Sequence, residues 1–387
     1  MRETLLPFSR PSLGEEEISE VVDVLRSGWI TSGPRVKRFE QAFCERLGVE
    51  HAVAVCSATA GLHLALATLD LRAEDEVIVP SLTWASTANV VELCGAKTVF
   101  ADVDPGTLCM DPVDAKRRIT ARTRAIIPVH FAGQAVDLDA FRELARAHSL
   151  DLVQDAAHAL GTAYRGQEIG STGELAVFSF HPIKNITTAE GGMVVLSDAK
   201  RAERLRLLRF HGVSKNAWKR HEGGGKARYE VVEPGWKYNL TDLQAALGIH
   251  QLAKLDGFNA RRRELGLRYE ALLADVPEVT PLERVTYPGK HAWHLFVVRL
   301  DLETSPLDRD SFMGALEARK IGTGLHFPAL HSMPYFRRRY GYEPGSLPHS
   351  ELAGESILSL PLYPSLTDSE QDEVVDAICA VLFETGR

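Results

Sequence analysis

From residue 52 to about residue 200 the chain alternates short apolar runs with helix-like stretches, and this alternation constrains the fold more than any other feature. Ala52–Cys56, Glu76–Val79, Thr98–Ala101, Ala125–Val129 and Asp151–Gln154 read as strands buried on both faces. Between them Leu62–Leu69, Thr87–Leu93 and Leu138–His148 read as helices. Strand and helix in turn predict a mostly parallel sheet with helices on both sides. Two further strands, Leu175–Phe180 and Gly192–Leu196, are linked by HPIKNITTAEGG (His181–Gly192). That link is too short for a helical crossover, so the two are expected to pair antiparallel.

Beyond residue 200 the texture changes. Trp218–Glu233 (WKRHEGGGKARYEVVE) combines three glycines with Lys219, Arg220, Lys226 and Arg228, close to Lys215, and reads as a basic loop. A helix is expected from about Thr241, its N-cap, to Leu255, and a second, charged helix over Asn259–Leu273. A strand at Ala292–Leu300, a helix at Arg309–Arg319, a strand near Thr323–His326 and a terminal helix from Asp368 complete the pattern. The expected division is a large domain over 1–254 and a smaller α+β domain over 255–387, with the boundary inside helical structure.

Composition narrows the function. Lys and Arg total 44 against 52 Asp and Glu, a formal charge of −8, which argues against a broad nucleic-acid surface. No apolar run approaches the ~18 residues of a spanning helix, so no membrane insertion is expected. The start, MRETLLPFSRPSLGEEE, lacks the apolar core of a secretory signal. Cys44, Cys56, Cys94, Cys109 and Cys379 are widely spaced, odd in number and without a CxxC pair. They are expected to be reduced thiols of a cytoplasmic protein, with neither a disulfide framework nor a metal site. His291 and His294 in HAWH, three apart on an expected strand, make a poor metal pair, and DVDPG (Asp102–Gly106) reads as a turn.

Three segments carry chemistry. CSATAGLH (Cys56–His63) stands where a strand ends and a helix begins, so small residues leave backbone N–H groups open to an anion; a plain tight turn is the alternative. Neither GxGxxG nor GxxxxGK[ST] is present, which excludes a dinucleotide fingerprint and a P-loop. Asp155 ends an apolar strand and so faces the crevice where open α/β sheets bind ligands, unless it merely caps the next segment. Lys184 follows 29 residues later in FSFHPIKNITTAEGG, flanked by apolar strands. A lysine there either reaches solvent or is held with a lowered pKa for Schiff-base work. A phosphate cradle, a strand-end carboxylate and a loop lysine are the parts that a pyridoxal 5'-phosphate enzyme uses.

VVDVLRSGWITSGP (Val21–Pro34), CSATAGLHLAL, PSLTWASTAN (Pro80–Asn89), IIPVHFAGQAVD (Ile126–Asp137), QDAAHALGT, FSFHPIKNITTAEGG and WKYNLTDLQAALG (Trp236–Gly248) resemble the nucleotide-sugar aminotransferases of the DegT/DnrJ/EryC1/StrS family. The resemblance implies an α/β protein of the aspartate-aminotransferase fold (fold type I), with a large mostly parallel mixed sheet, acting as a homodimer with shared active sites. It implies Lys184 as the Schiff-base lysine and Asp155 as the partner of the pyridinium. His158 would sit at the ring hydroxyl or over the ring, and Trp84 would stack on it. Ala58, Thr59 and Ser179 would hold the phosphate, with Asn239 reaching that of the neighbouring subunit.

LPFSRP (Leu6–Pro11), SGWITSGP and IGTGLHF (Ile321–Phe327) most resemble the family members that make UDP-4-amino-4-deoxy-L-arabinose, a lipid A precursor. The implied substrates are L-glutamate and a nucleotide-linked 4-keto sugar. Thr31, Ser32, Tyr238, His326 and His331 are candidates for the sugar pocket, and Lys219, Arg220 and Arg228 for the diphosphate. A dTDP- or UDP-linked 4-keto-6-deoxysugar is the alternative substrate. The dehydratases of the same scaffold carry histidine in place of the lysine, so Lys184 argues against them.

Overall fold

The computed structural model describes residues 2–214 and 229–385; Lys215, Lys219, Arg220, Lys226 and Arg228 lie outside them. The large sheet runs in the spatial order Lys97–Ala101, Glu76–Pro80, Thr123–Ile126, Asp151–Asp155, Ala176–Ser179, Gly192–Leu196, His51–Val55. The Asp151–Asp155 stretch joins its two halves, because Asp151 and Leu152 pair with Thr123–Ile126 while Gln154 and Asp155 pair with Ala176–Ser179. Gly192–Leu196 runs antiparallel to both neighbours, as the short preceding link requires.

Alternation along each strand feeds two cores. Ala52, Ala54, Phe178 and Val195 face one side with Phe39 and Phe43, while Val53, Val55, Val177 and Val194 face the other with Leu62, Leu64 and Leu205. A sheet covered on both faces leaves only its strand ends for a ligand. Asp155 stands at one such end, followed directly by the turn that carries His158.

The expected pair of helices after Thr241 is one helix, Asp242–Leu272. Gly257 favours a break there, at about 1 kcal/mol relative to alanine. Contacts on both sides of it accompany an unbroken helix. Asn259 Nδ2 donates to the Leu160 carbonyl at 3.0 Å, and Arg262 Nη1 donates to the Leu362 carbonyl at 2.9 Å. Thr241 caps the helix in a reciprocal box with Gln244.

The C-terminal part is a three-stranded antiparallel sheet, Val279–Pro281, Phe296–Leu300 and Ile357–Leu360. Its own core, with Phe296, Val298, Phe312 and Ile378, packs on Leu265 and Tyr269 of the long helix. Two expected strands are shorter or missing. Ala292–Leu295 leaves the sheet because Ala292 and Leu295 donate to the carbonyls of Gly133 and Ala132. Near Thr323–His326 only Gly324 pairs with Ser359, since Gly322 donates instead to Leu6. Among the described residues no helix is long and apolar enough to cross a membrane. Cys109 is buried, Cys44, Cys56 and Cys94 half-buried, and Cys379 exposed.

Candidate active site

Asp155 is 4% exposed. Its Oδ2 accepts from the Thr87 hydroxyl at 2.9 Å and its Oδ1 from the Ala157 N–H at 3.1 Å. Burial raises its pKa, against the opposing effect of these two donors and the Lys184 charge. A carboxylate enclosed in this way lacks a hydrogen-bonded cation, and a protonated pyridine nitrogen is a group that would supply one.

Lys184 sits in the turn after Ala176–Ser179, where its N–H donates to the His181 carbonyl at 2.8 Å. Burial lowers its amine to about 8, although Asp155 pulls the other way. The adjacent Asn185 is buried and donates to Asn259 Oδ1 at 2.7 Å and to the Ala292 carbonyl at 2.8 Å. The lysine loop is thereby pinned to the long helix and to the loop before Phe296–Leu300.

An aromatic run lines the site. Trp84, 63% exposed at the start of the Ala85–Leu93 helix, lies 6.0 Å from the Phe327 ring. Phe327 stacks with His158 at 5.9 Å, and His158 lies 4.3 Å from His294. His294 Nε2 in turn is 3.4 Å from the Lys184 amine. His158 Nδ1 accepts from the Ala132 N–H at 3.3 Å, so its Nε2 carries the proton and can donate. Burial holds His158 well below the usual imidazole range, with the Lys184 charge adding to the effect.

Close to the lysine loop, the Ala58–Ala67 helix begins directly after His51–Val55. Ser57 caps it, its Oγ accepting from the Ala60 N–H at 3.1 Å, which leaves the first N–H groups directed outward. Ala58 is half-buried and Thr59 exposed. Gly192, paired with Ser179, approaches so closely that a Cβ would stand 2.7 Å from the Ala58 nitrogen. Asn239 bridges to Val55 at the same place.

The proposed sugar contacts separate into two groups. His326 joins the lysine cluster: burial and then the Lys184 charge push it down to about 3, and its Nδ1 bonds Ser359 Oγ at 2.9 Å. Thr31 is exposed. Ser32 is buried, donating to the Leu240 carbonyl at 2.5 Å and accepting from Asn239 Nδ2 at 2.6 Å. The Tyr238 hydroxyl bonds His63 Nδ1 at 3.2 Å. His331 is not brought to the cluster; it spans Ser81 Oγ at 2.6 Å and Glu351 Oε1 at 2.9 Å.

Sequence reasoning missed Thr87, His294 and Phe327. Thr87 left one usable sign, a hydroxyl one helical turn after Trp84 and therefore on the same face. His294 and Phe327 meet the site only through long-range folding.

Comparison with known proteins gives concordant results. The sequence profile of the DegT/DnrJ/EryC1/StrS aminotransferase family matches residues 11–379. Spr1654 of Streptococcus pneumoniae, described as a sugar aminotransferase and solved in its PLP form, is 32% identical, with a TM-score of 0.89 over 98% of this chain and 99% of that one. PseC of Helicobacter pylori, an aminotransferase involved in the biosynthesis of pseudoaminic acid, is 30% identical, with a TM-score of 0.91 over 98% of this chain and 100% of its own. DesV of S. venezuelae is 35% identical, with a TM-score of 0.86 over 99% and 100%.

Proposed function

The chain belongs to the DegT/DnrJ/EryC1/StrS aminotransferase family and is a pyridoxal-phosphate-dependent enzyme of fold type I; from that premise we propose that it moves the amino group of L-glutamate onto a nucleotide-linked 4-keto sugar. The observation that carries the reading is the pairing of a buried, cation-seeking Asp155 with a Lys184 amine depressed to about 8. When bound, the cofactor supplies an electron sink for negative charge at the substrate carbon.

The chain's own residues do the rest. Asp155, anchored by Thr87 and Ala157, would keep the ring nitrogen protonated. Lys184 Nζ would hold the cofactor at rest, and its neutral amine, depressed to about 8, would be the base for the proton of the amino-bearing carbon. With the cofactor in place, His158 would donate from Nε2 to the ring hydroxyl and Trp84 would supply an aromatic face for the ring. The open N–H groups of Ala58 and Thr59, with the Ser179 hydroxyl, receive the phosphate. Asn239 is proposed to complete the phosphate site of a second copy in a homodimer, and the enzyme is proposed to act in the cytoplasm.

For the sugar we propose a UDP-4-keto pentose, giving UDP-4-amino-4-deoxy-L-arabinose for lipid A modification. LPFSRP, SGWITSGP and IGTGLHF support this reading, with Thr31 and His326 proposed to face the sugar and Ser32 and Tyr238 to shape its wall; His331, held by Ser81 and Glu351 away from the lysine cluster, drops out of the pocket. The basic residues Lys219, Arg220 and Arg228 are proposed for the diphosphate. A dTDP- or UDP-linked 4-keto-6-deoxysugar is the second reading, open to a member of the same family. Pyridoxamine-loaded protein is mixed with each keto-sugar nucleotide in turn, and the pyridoxal absorbance is followed. The proposed pentose should restore it fastest; restoration only by 6-deoxysugars selects the second reading, and none by any keto sugar removes both.

A further inference from the structure

One buried group that the proposed chemistry leaves unused touches the reacting amine. His294 is 1% exposed, its Nε2 lies 3.4 Å from Lys184 Nζ, and its Nδ1 is buried without a partner among the described residues. Its position is built in. Behind it Arg262, 2% exposed, donates to the carbonyls of Trp293, His294 and Leu362 at 3.4, 3.2 and 2.9 Å. Asn185 ties the lysine loop to the carbonyl of Ala292, two residues before His294. Amine and imidazole are therefore held in one frame.

The bare Nδ1 decides the tautomer. A buried N–H with no acceptor is rarer and costlier than a bare acceptor lone pair. Nδ1 therefore carries no proton, and Nε2–H points at the lysine nitrogen. We propose that His294 is a positioning residue for the aminotransfer reaction, whose Nε2–H donates to the lone pair of the freed Lys184 amine, aims it and holds it as a base. A hydrogen bond to the neutral form of a titrating group disfavours the charged form. The surroundings agree: burial, then His158, Lys184, Arg262 and His326, keep His294 far below the usual imidazole range, so it contributes a donor and no charge. The charged or titratable groups facing the pair are Asp155, His158, His326 and Arg262.

The inference rests on Lys184 being the proton-moving amine, yet it is tested without turnover. Apoenzyme is trace-acetylated across a pH series, and modification of Lys184 is read by mass spectrometry. Wild-type protein should show a midpoint near 8. His294→Ala should raise it by about one unit, leaving roughly tenfold less reactive amine at neutral pH. His294→Gln, whose amide N–H reaches the same place, should stay within about threefold of wild type. An alanine variant that matches wild type, or a glutamine variant as displaced as alanine, overturns the proposal. The 15N shifts of the His294 ring in wild-type apoenzyme need no variant: protonated Nε2 above the lysine midpoint is expected, and protonated Nδ1 refutes it. Failure here leaves the role of Lys184 itself to be judged by loss of turnover in Lys184→Ala.

Discussion

The Thr87 hydroxyl, in the first turn of the Ala85–Leu93 helix, donates to Asp155 Oδ2 at 2.9 Å across 68 residues of chain. It favours the ionised carboxylate against the burial that opposes it. Thr87→Val keeps the shape and removes the donor, so the carboxyl titrates higher still and grips a ring cation less. Cofactor affinity should fall about tenfold, in line with ~1.5 kcal/mol for a hydrogen bond to a charged group. Fluorescence titration of the apoenzyme checks this, and an unchanged Kd contradicts the assigned role of Asp155.

Lys184→Ala should still fold but lose turnover by several orders of magnitude, because the imidazoles beside the amine, His158 and His294, are poor bases. Burial depresses His158 and His294 far below neutrality. Glutamate-dependent conversion in a stopped-flow trace at more than a hundredth of the wild-type rate would refute the assignment.

Reconstitution of apoenzyme with the cofactor should accelerate as pH rises through about 8 and then level off. The neutral amine is the nucleophile, and its folded pKa lies below the 10.5 of an ordinary lysine. Stopped-flow absorbance gives the profile; continued acceleration toward pH 10 would mean that the amine is hydrated and unperturbed.

Mixing inactive Lys184→Ala dimers with crippled Asn239→Ala dimers, then letting subunits exchange, should restore about a quarter of the wild-type activity. Sites that combine an intact lysine with the other subunit's intact asparagine account for that fraction. No recovery after verified exchange would place Asn239 in the site of its own chain.

Asp242, 1% exposed, accepts the N–H groups of Gly33, Arg35 and Val36 at 2.8, 3.0 and 2.9 Å and so caps the Pro34–Leu47 helix from another element. Asp242→Ala should cost about 2 kcal/mol in denaturant unfolding and raise KM for the sugar nucleotide, because the turn at Thr31 loosens. Unaltered KM with lowered stability would remove that turn from the sugar site.

Much of this architecture was legible in the chain because local periodicity reports burial. Leu138–His148 and Gly192–Leu196 have the expected bounds, and the alternation before residue 200 becomes a mixed sheet whose pairings from Lys97–Ala101 through to Ala176–Ser179 are parallel. Lys184 and Asp155 stand out as ionisable groups beside apolar strands, but the pattern alone leaves each with a plain alternative, and it is the motifs around them that single them out. What escaped is carried by distant pairing. His294 meets Lys184 across 110 residues, and Ala292–Leu295 is drawn off its expected strand by the carbonyls of Ala132 and Gly133. Gly257 argues for two helices until Asn259 and Arg262 are seen bonded to their surroundings. No spacing rule announces such partners.

The unbroken Asp242–Leu272 helix is about 46 Å long at 1.5 Å per residue. One end is clamped beneath the Thr31–Val36 turn, and the other is fastened to the terminal helix through Arg268 and Asp372. With no break between those ends, a single helix ties the Thr31–Val36 turn near the start of the chain to the terminal helix at its finish.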